Sequence, residues 1–420
     1  MAAAFVTLVA WSVLVPAWES PDEPQHWQYA NFVHDHGQLP PYTSEFIEGN
    51  EPPVYYFLMS PFAVDAAVPA QSLGTALGPD GRRHYNNLPR LYPTSPHDLR
   101  DFAGLHLARI ATCLVSLVTV WCTFLAGRAL TGRRDTGLLA CGLVAFLPEF
   151  SGRASAFSAD AMVAAVASVA TWLTIRMWRD GFSARSGAVI GLVIGVATLS
   201  KITGVAVVAG FACAAVFGRP PASPARRLMR LWPLGLALVI ALPWLLHNQL
   251  TYGDPLAVRQ SLIAVSDLVD RRPLFSYSFF VLFPLTLAES FVGLFGWTNV
   301  HMPAWYWLLY TLLLSTILAG LVRLLRLHTR ERLMVLALLA TFGAALAATL
   351  VVNLTFFTPQ GRYLFPALPA IAVVSAMALE ATPGWLPRAR RATLAVVTGL
   401  GVLDVALLPL VIVPAYGVHW

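Results

Sequence analysis

The sequence of 420 residues predicts an all-α polytopic membrane protein, a bundle of about eleven transmembrane helices with one large polar loop after the first. Three observations predict it. Hydrophobic residues make up 57% of the chain and charged residues only 12%, where soluble domains run at roughly 25% charged. Apolar segments recur from the first residues to the last. Basic residues concentrate on alternate links between those segments, as they do on the cytoplasmic side of membrane proteins. The formal net charge of +6 then reflects helix orientation, and nucleic-acid binding is excluded as a leading function. One membrane domain spanning 1–420 is expected.

The first apolar run, Ala2 to Ala17, would be roughly 24 Å long as a helix, against a hydrocarbon core of about 30 Å. It lacks the basic start and small-residue cleavage site of a signal peptide, so it is read as the first helix. Residues 19–103 form the polar loop, with eleven of the 22 acidic residues. Within it, Val54 to Val68 is apolar but short and bounded by prolines, which predicts a helix lying in the membrane interface. Gly78 to Asp98, rich in Pro, Gly, Asn and Arg, predicts irregular chain.

Beyond the loop come apolar segments at about Gly104–Ala126, Thr136–Leu147, Asp160–Met177, Gly187–Leu199, Gly204–Phe217, Leu231–His247, Ala304–Leu321, Leu333–Val352, Tyr363–Glu380 and Thr393–Val413. Several need loop residues to reach spanning length. Phe279–Phe295 is interrupted by Pro284, Glu289 and two glycines, and is read as a re-entrant or interfacial piece. Alternate links carry Arg128, Arg133, Arg134, then Arg176, Arg179, Arg185, then Arg219, Arg226, Arg227, Arg230, then Arg323, Arg326, Arg330, Arg332, then Arg388, Arg390, Arg391. These 17 of 28 basic residues mark the cytoplasmic face, which places the acidic loop and the remaining links outside. The four cysteines, Cys113, Cys122, Cys141 and Cys213, lie inside apolar segments and read as packing residues.

The strongest local signal is Ser20-Pro21-Asp22-Glu23-Pro24-Gln25-His26, two adjacent carboxylates pinned by prolines where the first helix leaves the membrane. Neighbouring side chains point apart, so one carboxylate can face a reacting centre as a base while the other holds a helix end or a metal. An acidic first helical turn is the plainer alternative. His34 and His36 fall on different helix faces, which disfavours a shared metal site with His26. His26 fits better as a polar or phosphate-facing partner near Asp22.

Ionisable groups at membrane depth are costly and therefore informative: Arg109, Glu149, Asp160, Lys201, Glu289, Arg362 and Asp404. Lys201 is the sole lysine of the chain. Carboxylates that accept a hydroxyl proton, with cations that accept an anionic leaving group, are what transfer from a lipid phosphate requires. Arg109 and Asp404 are read instead as internal pairs or snorkelling side chains. Glu51-Pro52-Pro53-Val54-Tyr55-Tyr56 and the Gly-punctuated run from Ala288 to Trp297 complete the external surface. Broken helices at membrane depth normally line a cavity.

Together these residues resemble the GT-C superfamily of membrane glycosyltransferases, and within it a bacterial family related to protein O-mannosyltransferases and aminoarabinose transferases. The matching stretches are Pro21 to His26, Pro52 to Tyr56, Phe157-Ser158-Ala159-Asp160, Leu199-Ser200-Lys201, Ser290 to Trp297 and Gln360 to Pro366. The resemblance implies a GT-C-like bundle whose first external loop carries membrane-lying helices. It implies an inverting transfer of a hexosyl or pentosyl group from a polyprenyl-phosphate-linked sugar to a hydroxyl of a glycan, lipid or protein acceptor, on the external face of a bacterial inner or plasma membrane. By that likeness Asp22 is the general base, with Glu23 supporting it and Asp160 the acid of the second external loop. Lys201, Arg362, Arg153 and His26 surround the donor phosphate, and Tyr55, Tyr56, Glu289 and Trp297 line the acceptor cavity. No metal or other cofactor is predicted. The chain ends at Trp420 soon after a helix, so no soluble C-terminal domain is expected to choose the acceptor.

Two other classes stay open. A secondary transporter would show an inverted repeat and charges at the midplane. A polymerase or ligase of lipid-linked glycans would lack the Asp-Glu pair after its first helix.

Overall fold

A computed structural model describes residues 1–63, 75–77, 83–85, 102–218, 223–326, 331–382, 384 and 389–416. The apolar segments expected to span are helical over most of their described residues. In chain order the helices that shape the molecule are α1 (Ala2–Leu14), α2 (Glu23–His36), α3 (Val54–Met59), α4 (Ala103–Thr131), α5 (Arg134–Ala145), α6 (Pro148–Ala154), α7 (Ala159–Asp180), α8 (Ala184–Ser200), α9 (Val207–Phe217), α10 (Trp232–Tyr252), α11 (Phe283–Val292), α12 (Ala304–Arg326), α13 (Arg332–Asn353), α14 (Leu368–Glu380) and α15 (Ala389–Leu407). Seven helices among the described residues are long and apolar enough to cross a membrane unaided, fewer than the eleven expected. The difference lies in α1, α5, α8 and α9, which are apolar but short.

Strands are few. Thr75–Leu77 pairs antiparallel with Arg83–Tyr85, so the stretch expected to be irregular contains one strand; its other residues lie outside the described ones. Leu294–Phe295 pairs antiparallel with Val300–His301 in a short hairpin after α11. The Val54 helix gives way to a 3-10 turn over Ser60–Phe62, and residues 64–68 of the expected segment lie outside the described ones. The interrupted segment before that hairpin is broken as expected, with a π-turn at Ser278–Leu282 leading into α11.

Small residues let the helices approach. A side-chain carbon at Gly210 would lie 2.1 Å from the Thr341 hydroxyl, so α9 and α13 meet there through glycine alone. The first part of the polar loop packs on the bundle: Trp18, Trp27, Tyr29, Tyr55 and Tyr56 are buried with Leu105, Ala108 and Phe157, which seats α2 and α3 on the start of α4 and α7. Burying large aromatic side chains contributes about 1.5–3 kcal/mol each where water is the alternative, so α2 and α3 are fixed in place.

The alternation of helices puts the end of α1, the starts of α4, α7 and α14 and the end of α8 at one face of the bundle. The Arg-rich links, α4 to α5, α7 to α8, α9 to α10, α12 to α13 and α14 to α15, turn at the other.

Candidate active site

The chain leaves α1 through a turn in which two residues, Trp18 and Asp22, hold left-handed backbone angles of +67° and +63°. Aspartate tolerates that region better than most residues, while a tryptophan there is strained unless its surroundings compel it. They do so here: the Trp18 amide donates to Glu23 Oε2 at 3.2 Å, and its carbonyl accepts from Trp297 Nε1 at 3.2 Å. The turn sends the two adjacent carboxylates in different directions.

Asp22 faces Arg362. Their carboxylate and guanidinium are in direct hydrogen-bonded contact across 340 residues. Arg362 stands in a 3-10 turn, Gly361–Ala367, that precedes α14. Its position depends on Gly361, whose amide donates to Ser290 Oγ at 2.8 Å and whose Cβ, if present, would lie 2.2 Å from the Phe291 backbone. From Arg362 the chain of charges continues. Arg362 Nη1 lies 3.5 Å from Asp160 Oδ2, Asp160 Oδ1 lies 2.9 Å from Lys201 Nζ, and Lys201 Nζ lies 3.4 Å from Glu51 Oε1.

Each member is placed by its local structure. Asp160 enters the first turn of α7, where the Ser158 hydroxyl caps its amide at 3.2 Å and the helix dipole favours a carboxylate. Lys201 caps the C-terminus of α8 in extended conformation before a 3-10 turn. Glu51 precedes Pro52 and Pro53, with its amide bonded to the Glu48 carbonyl at 2.8 Å. Asp160, Lys201 and Arg362 are buried, and Asp22 keeps 25% of its side chain exposed.

His26 lies behind Asp22, fully buried, with Nδ1 2.7 Å from the Tyr56 hydroxyl. Tyr56 stacks on Tyr29 at 3.6 Å between ring centres. Burial, reinforced by Lys201, depresses the His26 pKa to about 3, so the ring is neutral. Burial alone would raise Asp22, but the adjacent Arg362 outweighs it and holds Asp22 below the usual carboxylate range. Burial lifts Glu51 above that range and, with the charge of Asp22, lifts Glu48 to about 8. The cluster therefore holds ionised and neutral carboxyl groups side by side, a combination typical of acid–base sites. Among the described residues no group of three or more His, Cys, Asp or Glu side chains is arranged to hold a metal ion. His34 and His36 are both exposed.

Asp22, Asp160, Lys201, Arg362, His26 and Tyr56, all expected from the sequence, thus come together, joined by Glu51 and Glu48. Other expected site residues do not join them. Glu23 is fully buried against Arg109, at 2.8 Å from Oε1 to Nε, and also accepts the Phe157 amide at 2.8 Å. With Trp18 these contacts occupy both carboxylate oxygens, so Glu23 braces the turn and does not face the cluster. Arg153 pairs with Glu149 one helical turn away at 2.9 Å, and Glu149 accepts the Leu294 amide at 3.1 Å. Tyr55 is packed under α3 with its hydroxyl 3.3 Å from Thr112 Oγ1. Glu289 lies 3.3 Å from His301 Nδ1 on the hairpin, and Trp297 braces Trp18. Asp404 is an internal anchor held by neutral donors and not by the expected ion pair, accepting from Trp11 Nε1 at 3.1 Å and Ser151 Oγ at 2.6 Å.

Residues 99–247 match the family model described as dolichyl-phosphate-mannose-protein mannosyltransferase. That segment carries Asp160 and Lys201. No curated protein matches the chain in sequence. Among solved structures, ArnT from Cupriavidus metallidurans bound to undecaprenyl phosphate superposes with a TM-score of 0.55 at 15% identity, covering 98% of this chain and 72% of that one. The apo form of the same protein gives 0.55 at 16% identity with the same coverage. These findings agree with the resemblance read from the sequence: the chain is a polytopic membrane protein with the GT-C glycosyltransferase fold.

Proposed function

We propose that this protein is an inverting glycosyltransferase that takes a sugar from a polyprenyl-phosphate donor and passes it to an acceptor hydroxyl at the external face of the cell membrane. The observation that carries the reading is the continuous chain Asp22, Arg362, Asp160, Lys201, Glu51, which sets a partly exposed carboxylate against two buried cations. Its position at the bundle face opposite the Arg-rich links supports the external assignment. The undecaprenyl phosphate bound to the ArnT structure supports a polyprenyl phosphate as donor.

Without donor, Arg362 neutralises Asp22. A donor phosphate competes for the same guanidinium, since Arg pairs readily with phosphate oxygens. As Arg362 turns to the phosphate, Asp22 loses its partner and gains basicity where it is needed. Asp22 then accepts the acceptor hydroxyl proton, the oxygen attacks the anomeric carbon, and the bond from that carbon to the phosphate oxygen breaks on the opposite side. The leaving polyprenyl phosphate takes up negative charge beside Arg362 and Lys201. Asp160 keeps both cations in position, and neutral His26 and Tyr56 form the wall behind Asp22.

The test is transfer of radiolabelled sugar by the purified protein from a panel of polyprenyl-phosphate sugars into extracted envelope fractions. Lipid-dependent labelling supports the reading. Equal labelling from nucleotide sugars, in the absence of lipid carrier, contradicts it.

A further inference from the structure

The opposite end of α4 carries a second feature. Arg128 follows Arg109 by 19 residues, which is about 28 Å along a helix at about 1.5 Å per residue, so it lies at the far face of the bundle from the charged cluster. There the chain turns at Gly132, with φ of +76°, and α5 runs back along α4. The hairpin is closed by glycine: a Cβ at Gly127 would lie 3.1 Å from Gly137 Cα, and one at Gly137 would lie 2.6 Å from the Phe124 carbonyl.

Beside this hairpin is a cavity of about 420 Å³ lined by Trp121, Phe124, Arg128, Gly132 and Arg134. Among the described residues no carboxylate lines it. Arg128 and Arg134 are exposed and, among the described residues, neither has an ion-pair or hydrogen-bond partner. Neighbouring arginines are engaged: Arg133 pairs with Glu380 at 3.3 Å, and Arg179 donates to the Ala129 carbonyl. Below the two cations, Trp121 and Phe124 stack at 5.5 Å with 23° between planes. Trp121 is 49% exposed, and the stripe continues down the same face of α4 through Val118 and Leu114, exposed by 40% and 54%.

Unpaired guanidinium groups at the rim, an indole at interfacial depth and an apolar stripe beneath match the three parts of a phospholipid. Tryptophan favours the headgroup level, and basic pockets at the positive face of membrane proteins attract anionic headgroups. We propose that this cavity binds one anionic phospholipid, its phosphate between Arg128 and Arg134 and an acyl chain along Trp121, Val118 and Leu114. The apolar stripe distinguishes such a lipid from a free phosphate, and the separation from the charged cluster makes this site independent of the proposed reaction.

The experiment is native mass spectrometry of the purified full chain in detergent with added phosphatidylglycerol or phosphatidylcholine. The proposal expects one phosphatidylglycerol retained by the wild type. In Arg128→Gln/Arg134→Gln that retention falls by roughly 10- to 30-fold. Phosphatidylcholine retention stays the same in both. Arg176→Gln, which alters an exposed arginine outside the cavity, leaves retention unchanged, and Trp121→Leu weakens it without removing a charge. Equal losses in Arg176→Gln would overturn the proposal in favour of a diffuse basic surface. Displacement of the lipid by equimolar inorganic phosphate would overturn it in favour of a headgroup-only anion site. If the double variant fails to fold, Arg134→Gln and Trp121→Leu give the same decision, and unchanged retention in both would overturn the proposal.

Discussion

Asp22 and Glu23 are adjacent in the chain and are held by different arginines, Asp22 by Arg362 from the turn before α14 and Glu23 by Arg109 from the start of α4. One carboxylate is left partly open to the site, and the other is sealed in the fold.

Glu23→Gln is therefore expected to act on stability. It leaves the Arg109 guanidinium, 1% exposed, without its counter-charge, and breaking a buried pair from one side typically costs about 3–5 kcal/mol. The unfolding midpoint of the detergent-purified protein should drop by several degrees. A midpoint equal to wild type would show that Glu23 does not brace the turn.

Arg362→Gln should change the pH profile as well as the rate. The cation keeps Asp22 below the usual carboxylate range, so its removal raises the Asp22 pKa. The acid limb of kcat/KM, which reports the free enzyme, moves to higher pH in the variant. An unmoved limb would mean that a different group governs it.

Lys201→Met is expected to weaken donor binding. It removes the cation between Asp160 and Glu51, and loss of a charged contact to a phosphate should raise the donor KM at least tenfold, equivalent to about 1.4 kcal/mol. Titration of the donor lipid at fixed acceptor measures it. Loss confined to kcat would place Lys201 away from the phosphate.

Glu48→Gln tests the raised carboxyl. With a folded pKa of about 8 against an ordinary value of 4.5, Glu48 holds its proton in the folded state when the unfolded chain has lost it, so its contribution to stability declines as pH rises between those values. The substitution should raise the unfolding midpoint at pH 8 and leave it nearly unchanged at pH 4. A gain of equal size at both pH values would contradict the shift.

The residues most legible from sequence were those whose placement is costly. Asp160, Lys201 and Arg362 stand among apolar residues, where an unpaired charge is unfavourable, and each proves to be paired within one cluster. Glu51 and Glu48 gave no comparable signal, because they sit in a loop already crowded with acids. The division between Asp22 and Glu23 depends on left-handed angles at Trp18 and Asp22, which neither residue type announces. The partner that Arg153 takes in the structure is legible too: Glu149 lies four residues earlier, a spacing at which helical side chains pair. The exact length of each span is less legible, because short apolar helices such as α5 and α9 have the composition of a span without its length.

Sugar transfer by purified Asp22→Asn, measured beside wild type, tests whether Asp22 is the general base. Asparagine preserves the shape of the side chain but cannot accept the proton, so transfer should fall by roughly 100- to 10,000-fold with the unfolding midpoint little changed. Transfer undiminished in a folded Asp22→Asn protein would contradict the mechanism and move the base elsewhere in the cluster.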